Sequence, residues 1–149
     1  ITSSMNVLYK EETDFFHIYK NSLDLMLITS NNISVKIRDF KLNVDIYLFS
    51  IVLKNLIDNA IKFSPDSHAT LIANNKKIKV ISKGDKLKHS LDYYTEPFSQ
   101  AEKRSDGFGL GLYIVQKTCE LHGFKFRYHY ENGENHFIVD MSKTLTITS

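Results

Sequence analysis

Leu53-Lys54-Asn55-Leu56-Ile57-Asp58-Asn59-Ala60-Ile61-Lys62-Phe63-Ser64-Pro65 places two demands on one helix. Upstream, Ile46, Leu48, Phe49, Ile51 and Val52 extend the apolar set that continues through Leu53, Leu56, Ile57, Ala60 and Ile61. A helix apolar on most of its circumference is predicted to be buried. Asp45 is a suitable N-cap, and Ser64-Pro65 is a stop, because the residue before proline disfavours helical geometry. The predicted helix therefore runs from 46 to about 63. Yet it carries Asn55, Asn59 and Lys62. At about 100° per residue, Asn59 lies about 40° from Asn55 and Lys62 about 20° to the other side, so the three share one narrow stripe.

Two amides and a cation on a mostly buried helix need partners. A polyanion with its metal would supply them, since an amide carbonyl is a suitable oxygen ligand for Mg²⁺ and a lysine is a point charge for phosphate. A solvated stripe, with Asp58 paired to Lys62 at i, i+4, is the competing reading from the helix alone.

Downstream, residues 69–73 and 77–82 read as two strands joined at Asn74-Asn75, a pair that tolerates a tight hairpin. Residues 83–108 are polar, irregular and long for a connection, as in a lid. Within and after them, Gly107-Phe108-Gly109-Leu110-Gly111-Leu112 leads into a helix predicted over 109–122 and ended by Gly123. Alternate glycines let backbone approach a ligand, and free amides at a helix start attract anions, phosphate above all. A hinge or a tight packing corner fits the same glycines. The spacing is not that of a P-loop, and no strand directly precedes it as a dinucleotide fold requires. Residues 124–130 and 136–141 form a predicted hairpin around Asn132-Gly133. Upstream of the central helix, residues 11–28 read as a helix with apolar positions at Phe15, Ile18, Leu23, Leu25, Met26 and Leu27, and residues 33–37 as a strand.

Length and composition set the outer bounds. At 149 residues, 42% hydrophobic and 24% charged, the chain fits one globular domain with a real core, placed at 1–149. A formal charge of only +2, with its cations scattered, marks no nucleic-acid surface. The longest apolar run is too short to cross a bilayer, and no secretory pattern opens the chain, so this piece is expected to be soluble. The single Cys119 falls in the apolar pattern of Leu112, Val115 and Leu121 and reads as a small buried hydrophobe, not a nucleophile.

Taken in order, these segments resemble the GHKL superfamily and, within it, the ATP-binding catalytic domain of bacterial sensor histidine kinases. The stretch from Leu53 to Pro65 is similar to that family's N box, Thr95-Glu96-Pro97-Phe98-Ser99 to its F box, and Asp106 through Val115 to its G2 box. The resemblance implies an α+β fold: a two-layer α/β sandwich of the Bergerat type, with a mixed sheet packed on helices and a mobile lid over ATP. It implies Mg²⁺ on Asn59, assistance from Asn55, phosphate contact by Lys62, and an ATP site including Phe63, Ser82, Gly84, Leu87, Gly107, Phe108, Gly109, Leu110, Gly111 and Leu112. Catalysis would then rest on Asn55, Asn59 and Lys62. Phe98 would anchor the lid or meet the domain carrying the substrate histidine, while Lys103 and Arg104 lie in the lid as phosphate contacts or a solvated charge pair.

One motif departs from the family pattern. Its G1 box, Asp-x-Gly-x-Gly, supplies an aspartate to the adenine amino group; here Ser82-Lys83-Gly84-Asp85-Lys86 keeps only the first glycine. A serine hydroxyl accepts a hydrogen bond without the charge that strengthens it, so weak ATP binding with reduced adenine preference is expected, at a cost on the order of 1–3 kcal/mol.

None of His17, His68, His89, His122, His129 and His136 has the acidic and proline context of a phosphoacceptor. The resemblance therefore implies γ-phosphoryl transfer to a histidine on a separate dimerisation domain of the same parent, with no autophosphorylation of this fragment. It also implies a response regulator as indirect partner, and a homodimeric inner-membrane parent holding this domain, a monomer in isolation, in the cytoplasm. A GHKL hydrolase is disfavoured because Asn55 stands where the water-activating glutamate would be and cannot act as a general base. A serine kinase of the same fold and a non-catalytic interaction module that has lost its nucleotide are the other readings.

Overall fold

The computed structural model describes residues 7–26, 32–96 and 111–142. The chain runs β1 (Lys10–Asp14), α1 (Phe15–Met26), β2 (Ile33–Ile37), β3 (Lys41–Asp45), α2 (Ile46–Phe63), β4 (Ala69–Ala73), β5 (Lys77–Lys83), α3 (Leu91–Thr95), α4 (Gly111–His122), β6 (Lys125–Glu131) and β7 (Glu134–Asp140). Five strands form a mixed sheet in the order β2-β4-β5-β7-β6, with β2 and β4 parallel and every other pair antiparallel. Helices cover one face of it, which gives the expected two-layer sandwich.

Alternation explains the layers. On β4 and β5, Ala69, Leu71, Ala73, Ile78 and Val80 are buried, and on β7 so are Phe137 and Val139. Against them lies α2, which buries Phe49, Val52, Leu53, Leu56, Ile57 and Ala60, and beside α2 lies α4 with Leu112, Val115 and Cys119. Burying a side chain of Leu or Phe size contributes about 1.5–3 kcal/mol, so the packing of α2 is the main anchor of the helical layer.

Asp45 caps α2 as expected, its carboxylate accepting from the Leu48 amide at 3.1 Å. Ser64 ends the helix in an extended conformation, φ −90° and ψ 133°. At the other end of the chain, Asn132 and Gly133 take φ of 52° and 76°, the left-handed pair that a type I′ turn requires.

The helix predicted over 11–28 needs correction. Residues 10–14 instead form β1, which pairs antiparallel with β3 from Lys10↔Asp45 to Asp14↔Lys41 in a separate two-stranded sheet. No apolar residue occurs in Lys10–Asp14, so the helical period begins only at Phe15. Its start is fixed by tertiary partners: the Phe15 amide donates to the Phe40 carbonyl at 2.9 Å, and the Phe16 amide to the Asp39 carboxylate at 3.0 Å. Positions 27 and 28 lie outside the described residues, as do 109 and 110 at the expected start of α4.

His122 locks the helical layer to β3. Its Nε2 accepts from the Asp45 amide at 3.0 Å and its Nδ1 donates to the Thr118 carbonyl at 2.8 Å. A backbone amide can only donate, so the neutral Nδ1–H tautomer is forced. Burial lowers the His122 pKa below its ordinary value.

Candidate nucleotide site

The stripe on α2 meets the start of α4. Asn55 Nδ2 donates to the Gly111 carbonyl at 3.4 Å. A Cβ built on Gly111 would stand 3.4 Å from Asn59 Nδ2 and 3.9 Å from Asn55 Cγ, in van der Waals contact, so the start of α4 lies directly against both asparagines. Asn59 Nδ2 is buried and has no hydrogen-bond partner among the described residues. An orphaned buried amide costs on the order of 1–3 kcal/mol, which a ligand or its ordered solvent would recover. The other unpartnered buried atom among the described residues, Thr118 Oγ1, does not line the cleft.

That cleft has a volume of about 360 Å³, within the roughly 300–1,000 Å³ usual for small-ligand sites. Asn59, Ala60 and Phe63 of α2 form one wall, Ser82, Asn135 and Phe137 of the sheet another, and residues 84–88 with Tyr94 the rim. A groove of about 680 Å³ beside Val7, Tyr9 and Tyr47 is larger, but none of the candidate ligand-binding residues lies in it. The smaller cleft is the chemically meaningful one, because it gathers the N box and the G1-like loop around an unsatisfied polar atom.

The predicted residues divide as follows. Asn59, Phe63, Ser82, Gly84 and Leu87 line the cleft, and Asn55 and Gly111 meet beside Asn59. Lys62 is exposed, its Nζ 5.3 Å from the Phe63 ring centroid, a cation–π contact at the cleft's edge. Asp58 pairs with Lys54 at 3.3 Å, so the anticipated Asp58–Lys62 pair is not the one that forms. Leu112 is fully buried and serves packing. Phe98, Lys103, Arg104, Gly107, Phe108, Gly109 and Leu110 lie outside the described residues, as does the lid beyond Glu96; before it, the expected irregular segment contains the short helix α3.

The G1-like loop is held by residues that sequence reading missed. Asn135 pairs in register with Ser82 across β7 and β5. Its Nδ2 donates to the Asp85 carbonyl at 3.0 Å, while its Oδ1 accepts from the Tyr128 hydroxyl. That hydroxyl accepts from the Leu87 amide at 3.1 Å, and the Tyr130 hydroxyl donates to the Gly84 carbonyl at 3.0 Å. Burial raises the Tyr128 pKa above its ordinary value, which keeps it a neutral donor. Gly84 has φ of +148°, and a Cβ there would stand 3.3 Å from the Phe63 carbonyl, so the loop runs against the end of α2. The available sequence signal was Asn135 itself: a polar residue at an inward position of a strand whose other inward residues are Phe137 and Val139.

A mixed sheet covered on one face by helices, with a polar stripe on a buried helix facing a strand-end loop, defines a class: a nucleotide-binding α/β sandwich. The sequence pattern described as "Histidine kinase-, DNA gyrase B-, and HSP90-like ATPase" matches residues 44–145, and the chain belongs to that family. Among its relatives, the sensor histidine kinase ArsS of Helicobacter pylori is 37% identical over 109 residues, covering 72% of this chain and 26% of ArsS. The sensor histidine kinase HprS of Escherichia coli is 34% identical over 104 residues, covering 65% of this chain and 23% of HprS. The chain thus spans about a quarter of the length of these curated relatives. A solved catalytic domain of histidine kinase ThkA superposes with a TM-score of 0.68 at 22% identity, covering 87% of this chain and 93% of that one, which establishes the shared fold. Among the described residues, no helix is long and apolar enough to cross a membrane.

Proposed function

We propose that this chain is the single catalytic domain of a sensor histidine kinase, binding Mg²⁺–ATP in the cleft and donating the γ-phosphoryl group to a histidine on a separate dimerisation domain of its parent. The observation that carries this reading is the buried, unpartnered amide nitrogen of Asn59, a donor suited to a phosphate oxygen, set between Asn55, the backbone of Gly111 and the cleft. The described residues contain no cluster of three or more acidic, histidine or cysteine side chains suited to a metal. That fits Mg²⁺, which is commonly held by one or two protein oxygens together with substrate phosphates, and Asn59 would hold it through its amide oxygen. The ion would neutralise phosphate charge.

The protein's own part is positioning. Phosphoryl transfer needs little covalent chemistry from the enzyme. Asn55, tied to the Gly111 carbonyl, fixes the start of α4 against α2, where backbone amides face developing negative charge. Lys62 adds a positive charge at the rim, and Phe63 with Leu87 forms apolar walls for a base. The phosphoacceptor histidine comes from another domain: His122 is buried and holds Asp45 and Thr118, so it is not available as a nucleophile. By the same family reading, the parent is a membrane-bound homodimer with this domain in the cytoplasm and a response regulator downstream.

Calorimetric titration with ATP and a non-hydrolysable analogue, with and without Mg²⁺, tests the reading. Metal-dependent binding that Asn59→Ala abolishes is the expected result. No binding at millimolar nucleotide would move the non-catalytic interaction module to the front.

A further inference from the structure

We propose that the open face of the five-stranded sheet is a docking surface for an acidic amphipathic helix of a partner protein. The proposal stands apart from the nucleotide reading, since none of its residues lines the cleft.

Strand register carries it. Lys36, Ile72, Lys79, Ile138 and Arg127 are neighbours on five successive strands, β2, β4, β5, β7 and β6. Ile72, Lys79, Ile138 and Arg127 alternate with the buried Leu71, Val80, Val139 and Phe126, so they point away from the helices, and Lys36 lies in register with Ile72. One row across the sheet therefore reads cation, isoleucine, cation, isoleucine, cation. Neighbouring strands lie about 4.8 Å apart, so the cations recur at about 9.6 Å.

Cations scattered in the sequence are gathered here by the sheet. A groove of about 520 Å³ at the β4–β5 turn is lined by Lys36, Arg38 and Lys76 and by no carboxylate. Among the described residues, neither these three nor Lys79 forms an ion pair. The adjoining row sets Lys77 and Lys125 on either side of Asp140, whose carboxylate also takes Arg127 at 3.5 Å. Seven cations thus face one carboxylate, on a chain whose formal charge is only +2. Glu131 and Glu134 lie beside the hairpin turn next to His129 and His136. Four residues along the strand separate Glu131 from Arg127, about 13 Å, which exceeds the screening length of about 8 Å in physiological salt. The remaining self-repulsion is relieved by an anionic partner.

The isoleucines decide which anion. Ile72 and Ile138 are half-buried, recessed between the longer cationic side chains that flank them. A lipid leaflet is held by apolar groups that protrude into it, and among the described residues no large apolar side chain stands exposed on this face. A protein side chain can instead reach down between two cations. A helix laid across the strands presents one side chain per turn, every 5.4 Å or about one strand spacing. Carboxylates on alternate turns then oppose Lys36, Lys79 and Arg127, while aliphatic side chains on the turns between them oppose Ile72 and Ile138.

Fluorescence anisotropy tests this with a labelled synthetic helix of about 20 residues, long enough to hold helical structure. It carries glutamate at every seventh position and leucine midway between. The wild-type chain is expected to bind it, more weakly as salt rises. Lys79→Glu is expected to weaken binding at least tenfold and Ile72→Ser about threefold, and a scrambled peptide of the same composition to bind at least tenfold less tightly. Should the unfolding midpoint show that Lys79→Glu disturbs the central strand, Lys36→Glu on the edge strand gives the same reading. No binding at millimolar peptide, or equal binding of the scrambled peptide, overturns the proposal. Tighter binding to phosphatidylserine vesicles or to duplex DNA than to the peptide overturns it as well, in favour of that partner.

Discussion

The two ends of the cleft are built on opposite plans. At the end nearest α4, helix α2 brings Asn55 and Asn59 against the backbone of Gly111, and the Asn59 amide nitrogen is left without a partner among the described residues. At the end nearest the sheet, the Gly84–Leu87 segment is tied down by Tyr128, Tyr130 and Asn135 from the neighbouring hairpin. One end holds unsatisfied hydrogen-bonding capacity, and the other spends nearly all of it internally. The difference teaches that a loop which has lost its second glycine, with Lys86 in that place, can still be held in position by strands far from it in sequence.

The sharpest way to break this comparison is to change one residue at each end. Asn59→Ala should lower Mg²⁺-dependent ATP affinity by about a hundredfold, roughly 2.7 kcal/mol, with no loss of folding stability, since the amide has no partner to forfeit. Binding and denaturant unfolding measured on the same protein separate the two effects. Gly84→Ala should act conversely, destabilising the fold by about 1–3 kcal/mol, because an alanine Cβ meets the Phe63 carbonyl at a φ that side chains avoid. An unchanged unfolding midpoint would mean that the loop does not press on α2.

Smaller effects sharpen the contrast. Tyr128→Phe leaves the Leu87 amide and the Asn135 oxygen each without a partner, and should cost about 1–2 kcal/mol. Combined with Asn135→Ala, the losses should be less than additive, as within one network.

The pH dependence comes from a third place, the His122 contact with β3. The fold holds His122 neutral more firmly than the unfolded chain does, so on acidification the unfolded chain takes up the proton first. The stabilisation is complete above the ordinary value of 6.5 and is lost as pH falls from there toward the lowered value of the folded state. The slope cannot exceed about 1.4 kcal/mol per pH unit for one proton. His122→Gln should flatten stability between pH 7.5 and 5 relative to wild type, and a parallel profile would exclude His122 as its source. Least of all, Lys54→Ala should cost about 0.3–0.5 kcal/mol, the worth of a half-exposed i, i+4 pair.

The sequence made α2 readable from cap to stop, because Asp45, the apolar period and Ser64-Pro65 are all local signals. The strands Ile33–Ile37 and Ala69–Ala73, and the Asn132-Gly133 turn, were legible for the same reason. β1 was not: Lys10–Asp14 is polar throughout, and only its pairing with β3 makes it a strand. Likewise the stripe of Asn55 and Asn59 could be placed on one helix face, but its meeting with Gly111 depends on how α4 packs. The residues gripping the G1-like loop were invisible to motif reading, since Asn135 and Tyr128 acquire their role from sheet register and not from neighbours in the chain.

Cys119 carries a last consequence. It is the sole thiol of the chain, fully buried on α4 within the helical layer, and burial pushes its pKa up to about 12. In the closed fold an alkylating reagent finds neither access nor thiolate. Whatever labelling occurs must therefore wait for α4 to lift from the core that covers the thiol. The protein thus carries its own stopwatch: the rate at which Cys119 is modified counts those openings.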